Sequence, residues 1–134
     1  MRDQSRPDSV LYFERLTYVS MAMGFCGHFF NWDKTVETFS NNPLLFIFVQ
    51  IVILGIQFFW IWLVAYQSSN WARWVTLAVQ FVFLVVIGVG FTDYVQANSA
   101  PAIVMLSLET AFSLIATCFL FTRDATMWFV PQQP

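Results

Sequence analysis

Residues 44–66 read LLFIFVQIVILGIQFFWIWLVAY, a stretch with two glutamines and no charge. The charge-free interval is wider still, reaching from Glu37 to Arg73. A helix needs roughly 20 apolar residues to cross about 30 Å of hydrocarbon, and this stretch supplies them without interruption. Its β-branched residues do not make it a barrel strand. Strands of outer-membrane barrels alternate apolar and polar over about ten residues, whereas Ile51-Val52-Ile53-Leu54 and the later Phe83-Leu84-Val85-Val86-Ile87 do not alternate. The decisive stretch is a transmembrane helix.

Working outward, the run 74–92 lies between Arg73 and Asp93, and the run 102–121 carries one acid, Glu109. Toward the N-terminus, 10–30 begins with Glu14 and Arg15 and continues as an apolar body from Leu16 to Phe30. Arg15 can snorkel to the surface from inside the helix end. The punctuation agrees: Asn41-Asn42-Pro43, Gln67-Ser68-Ser69-Asn70 and Asn98-Ser99-Ala100-Pro101 separate the runs. Pro101 stands near a first helical position, where the missing N–H costs least. The expectation is an all-α polytopic membrane protein, a single domain over 1–134. It is a four-transmembrane-helix bundle with helices near 10–30, 44–66, 74–92 and 102–121.

Composition supports the same class. Hydrophobic residues make up 58% of the chain and charged residues 10%, against about 45–50% and 25% in soluble domains. Eight acids against six bases leave a net charge of −2, which excludes the basic footprint of a nucleic-acid binder. The lipid bilayer is the expected solvent. Trp32, Trp71, Trp74 and Trp128 fall near span ends, where an interfacial belt places amphipathic rings.

With four spans, the N-terminus, the turn at 67–70 and the C-terminus share one side. That side holds Arg2, Arg6, Arg15, Arg73 and Arg123, while the other holds Lys34. The bias expects both termini in the cytoplasm of a bacterial inner membrane. Cys26 and Cys118 then differ in depth by roughly 20 Å, too far for a disulfide.

Chemistry-bearing patterns are few. His28 is the sole histidine and has no second ligand at metal spacing on its own helix. Phosphate-binding, dinucleotide and metalloprotease fingerprints do not occur. No catalytic residue, cofactor or metal site is expected, and the chain reads as a non-enzyme. What remains is an intramembrane polar set: Gln50 and Gln57 on the second helix, Gln80 on the third, Glu109, Ser113 and Thr117 on the fourth. Gln50 and Glu109 fall at matching depths, about 9 and 10 Å from the outer ends. Gln57 and Gln80 both fall roughly 20 Å in. Two hydrogen-bonded layers are therefore expected, one joining Gln50 to Glu109 and one joining Gln57 to Gln80. An ionised carboxylate at the depth of Glu109 is costly unless paired, so a neutral, hydrogen-bonded acid is the expectation. At the cytoplasmic interface Glu14 is expected to meet Arg73 or the Arg123 region. Ser20, Gly24 and Gly27 make a small-residue seam that favours close helix packing.

Arg6-Pro7, Ser9-Val10, Phe13-Glu14, Leu16, Ser20 and Gly24 at one end resemble the opening of an uncharacterised family of small four-helix inner-membrane proteins of Gram-negative bacteria. Phe119-Leu120-Phe121-Thr122-Arg123-Asp124 and Trp128-Phe129 resemble that family's ending. The resemblance implies a fold and a location and no catalytic residues. The expected role is a structural or accessory subunit of a homo-oligomer or larger membrane complex. The alternative is a small oligomeric channel or carrier using the Gln50/Glu109 layer.

Overall fold

The computed structural model describes residues 6–32, 34, 37 and 42–129. Five helices are defined among them: α1 Asp8–Phe29, α2 Pro43–Ala65, α3 Asn70–Ala97, α4 Ala100–Phe119 and α5 Arg123–Phe129. The described residues contain no strand. Three of the helices are long and apolar enough to cross a membrane: α2 with a mean hydropathy of 2.5, α3 with 2.3 and α4 with 1.9. α1 is not among them, because Asp8, Glu14 and Arg15 sit in its first turns.

Local chemistry sets the helix ends. The Asn42 side chain caps α2 by accepting from the Leu44 and Leu45 amides at 3.1 and 3.2 Å, and Pro43 occupies the first turn, where its missing donor is harmless. Ser68 takes φ 45° in the turn between α2 and α3, a left-handed backbone that reverses the chain within a few residues. α3 extends beyond the expected 74–92 at both ends, because Asn70-Trp71-Ala72 and Tyr94-Val95-Gln96-Ala97 contain no breaker. The Trp128-Phe129 segment, beyond the four expected helices, is helical in α5.

The helices run alternately up and down. α1 lies antiparallel along the whole of α4: Tyr12 meets Phe119 with ring centroids 5.3 Å apart, and the Ser20 hydroxyl donates to the Glu109 carbonyl at 2.9 Å. At the far end, Asn31 Nδ2 donates to Asn98 Oδ1 at 2.7 Å. α2 runs back along α1, with Tyr18 against Phe58 and His28 against Phe46. α2 and α3 meet near their turn, where Trp60 Nε1 donates to the Thr76 hydroxyl at 2.9 Å.

Packing is uneven along the bundle. The buried cluster of Val10, Phe13, Met21, Ile61, Val64, Ala65, Ala72, Ala116, Leu120, Ala125 and Phe129 lies at the end that carries α5, apart from Met21 midway along α1. Toward the opposite end α2 and α3 turn large apolar side chains outward, with Leu44 75% and Val89 84% exposed. A water-soluble domain could not keep such a surface bare, and a bilayer covers it. The bundle is solid at one end and hollow at the other.

Candidate functional site

The hollow is a partly open cavity of about 500 Å³ lined by α1, α2, α4 and the end of α3. Its polar lining comes from Gln50 and Gln57 on α2, Glu109 on α4, Tyr94 and Asn98 at the α3 end, and His28 and Asn31 on the α1 side. Lys34 lines it at the end away from the termini. Met21, Phe25, Ile53, Leu54 and Leu106 supply apolar wall. Gln50 and Gln57 reach the same space because residues seven apart share a helix face. From Ala102 to Glu109 the lining descends about 10 Å along α4.

Glu109 owes its position to α1. A Cβ placed on Gly24 would lie 2.6 Å from both Cδ and Oε1 of Glu109 and 2.8 Å from Oε2. The carboxyl therefore rests in a notch that exists only because residue 24 lacks a side chain. Three residues on, a Cβ on Gly27 would meet Met105 at an ordinary 3.5 Å. Ser20 completes the contact by donating to the Glu109 main-chain carbonyl. Among the described residues, no hydrogen bond reaches the Glu109 carboxyl or the side-chain amides of Gln50 and Gln57. The direct Glu109–Gln50 bond expected from depth is not formed, although both face the same cavity.

The second expected layer is divided. Gln57 lines the cavity with Glu109, while Gln80 is buried on the other side of α4, where its Oε1 accepts from the Ser113 hydroxyl at 2.6 Å. Equal depth does not place two side chains on facing sides of a bundle. Thr117 turns back on its own helix and donates to the Ser113 carbonyl at 2.9 Å.

At the terminal end the expected Glu14–Arg73 contact is corrected. Glu14 binds Arg6, with Nη1 to Oε2 at 2.7 Å. Its other oxygen accepts from Tyr66 at 3.0 Å and from Tyr18 at 3.3 Å. Arg6 also lies over the Tyr66 ring at 4.2 Å. Arg73 instead turns toward α5, packing its guanidinium against Trp74, Phe121 and Phe129 at 5.1–5.6 Å and approaching the Thr126 hydroxyl at 3.4 Å. The physical reason is topological. The turn after α4 and α5 itself fold back under the bundle and bring Phe121 and Phe129 to Arg73, whereas Pro7 directs Arg6 along the first turns of α1.

The sequence reading missed four cavity residues: Tyr94, Asn98, Asn31 and Gly24 in its role as a notch. Tyr94 and Asn98, four apart at the end of an apolar helix, were the available signal. Asn31 and Asn98 also close the bundle end, because Asn31 Oδ1 accepts from the Ser99 amide at 3.3 Å and Asn98 Nδ2 donates to the Tyr94 carbonyl at 2.8 Å. Otherwise orphaned groups at two helix ends are thereby satisfied. Among the described residues no group of three His, Cys, Asp or Glu side chains could hold a metal ion, and Cys26 and Cys118 are free and exposed. Comparison with protein-family models, with curated proteins and with solved structures finds no match to this chain.

Proposed function

We propose that this membrane protein has four spans, with both termini in the cytoplasm of a bacterial inner membrane, and that it works as a small channel or carrier rather than as an enzyme. The observation that carries the reading is the cavity. It holds a carboxyl and two amides at membrane depth with no hydrogen bond from the described residues. Polar groups facing hydrocarbon cost several kcal/mol unless satisfied, so a chain that turns these three toward one hollow has a use for that hollow. Intramembrane ionisable residues facing a cavity mark substrate and ion paths.

α1 supports the fourth span. It runs alongside α4 from Tyr12–Phe119 to Asn31–Asn98, which favours giving it the same membrane depth as α4. Its acidic residue near the end, Glu14, is neutralised by Arg6 and two tyrosine hydroxyls. The resemblance of both chain ends to small four-helix inner-membrane proteins favours the same topology.

A structural or accessory role in a homo-oligomer or larger complex is the second reading, favoured by the wide exposed faces of α2 and α3. Purified protein in liposomes, assayed for flux of inorganic ions and cationic dyes, separates the two. Flux lost in Glu109→Gln supports the channel or carrier. Absence of any flux, together with a stoichiometric partner retained on purification from native membrane, assigns the accessory role.

A further inference from the structure

The cavity has the chemistry of a particular solute class. Its volume of about 500 Å³ lies within the range of pockets that take small organic molecules, roughly 300–1,000 Å³, and far exceeds what a bare proton or metal ion needs. Among the described lining residues Glu109 is the one acid and Lys34, at the end away from the termini, the one lysine or arginine, and no hydrogen bond from the described residues reaches the Glu109 carboxyl. The same lining carries Phe25 and Tyr94, whose ring faces attract alkylated ammonium groups, and the apolar side chains of Leu54 and Leu106. A carboxylate facing such a space draws cations and repels anions.

We propose that the cavity binds a small organic cation, its ammonium group on the Glu109 carboxylate and its alkyl groups against Phe25, Tyr94 and Leu106. This rests on the solute-cavity reading and adds the charge and class of the solute. The amides of Gln50 and Gln57 accept from N–H or O–H groups carried by the same molecule. The Gly24 notch holds the carboxyl beside the α1 backbone, leaving the centre of the cavity to the ligand.

The test uses the wild-type chain in lipid nanodiscs, with empty nanodiscs as the blank, and three probes of one shape: choline, the neutral 3,3-dimethylbutan-1-ol and the anionic 3,3-dimethylbutanoate. Equilibrium dialysis at low salt is expected to show choline bound about tenfold or more tightly than either isostere. Glu109→Gln is expected to abolish that preference while its thermal unfolding matches wild type. Because the three-probe comparison needs no variant, the proposal stands or falls even if Glu109→Gln fails to fold. Equal binding of choline and the neutral alcohol would overturn the cationic assignment and leave a solute cavity. Binding of none of the three, with no liposome flux, would overturn both.

Discussion

Gly24 and Gly27 lie one turn apart on the same face of α1, and the same substitution should act oppositely at the two. At Gly24 a new Cβ falls 2.6 Å from the Glu109 Cδ and Oε1, well inside van der Waals contact. The obstructing group is the end of a flexible side chain, so Gly24→Ala turns the carboxyl out into the cavity instead of separating the helices. Overpacking of this kind costs about 1–3 kcal/mol. Alanine returns up to about 1 kcal/mol of helix propensity, so the net effect is a loss of up to about 2 kcal/mol. At Gly27 the Cβ meets Met105 at 3.5 Å, an ordinary contact, so only the propensity gain remains. Gly27→Ala is therefore neutral or stabilising by up to about 1 kcal/mol. Reversible unfolding in mixed micelles measures both. The double variant Gly24→Ala/Glu109→Ala should recover the loss relative to Glu109→Ala alone, since the obstructing carboxyl is gone. Equal effects at the two glycines, or no recovery in the double variant, would refute the notch.

Glu14 and Arg6 should couple in a double-mutant cycle by about 0.5–3 kcal/mol, whereas Glu14→Gln and Arg73→Gln should be additive; the reverse pattern would show that the ion pair is misassigned. Asn31→Ala removes one acceptor and one donor from the closed bundle end and should destabilise by about 1–2 kcal/mol, read by the same unfolding assay. Asp124 is held at about 2, below its ordinary 3.8, by hydrogen bonds with the Thr122 side chain and with Ser9. A depressed carboxylate contributes stability that is present above its ordinary value and lost as pH falls. The gap in stability between wild type and Asp124→Asn should therefore hold at pH 6 and close between about pH 4 and 2; a gap that widens toward acid would contradict this. In a cysteine-free background, Asp3→Cys and Gln132→Cys should resist an impermeant thiol reagent in intact cells while Val36→Cys reacts, and labelling of both termini from outside would invert the proposed orientation.

Much of the architecture was legible in the chain because the bilayer imposes a length rule. A charge-free run such as 44–66 has one stable solution in hydrocarbon, since every backbone N–H and C=O must bond within the segment. Asn42-Pro43 and Pro101 mark helix starts by local chemistry alone, as the Asn42 cap bears out. The small-residue seam on α1 was readable too, from the spacing of Ser20, Gly24 and Gly27 on one face. Arrangement around the bundle axis was not. Depth follows from counting residues along a helix, but the direction in which a side chain points depends on which neighbour packs against it. That is why Gln50 and Glu109, matched in depth, line one cavity without a bond between them, while Gln57 and Gln80, equally matched, face different spaces. The same limit explains Arg73, whose ring contacts beyond the neighbouring Trp74 come from Phe121 in the turn after α4 and Phe129 of α5, a helix of 7 residues too short for a periodic pattern to reveal. Sequence alone determined that this protein lives in a membrane as antiparallel helices, because the solvent sets that requirement residue by residue. Tertiary packing decided that the helices pack around a buried core at the end that carries α5 and, short of the Asn31–Asn98 contact at the other, leave Glu109 facing a cavity rather than a partner side chain.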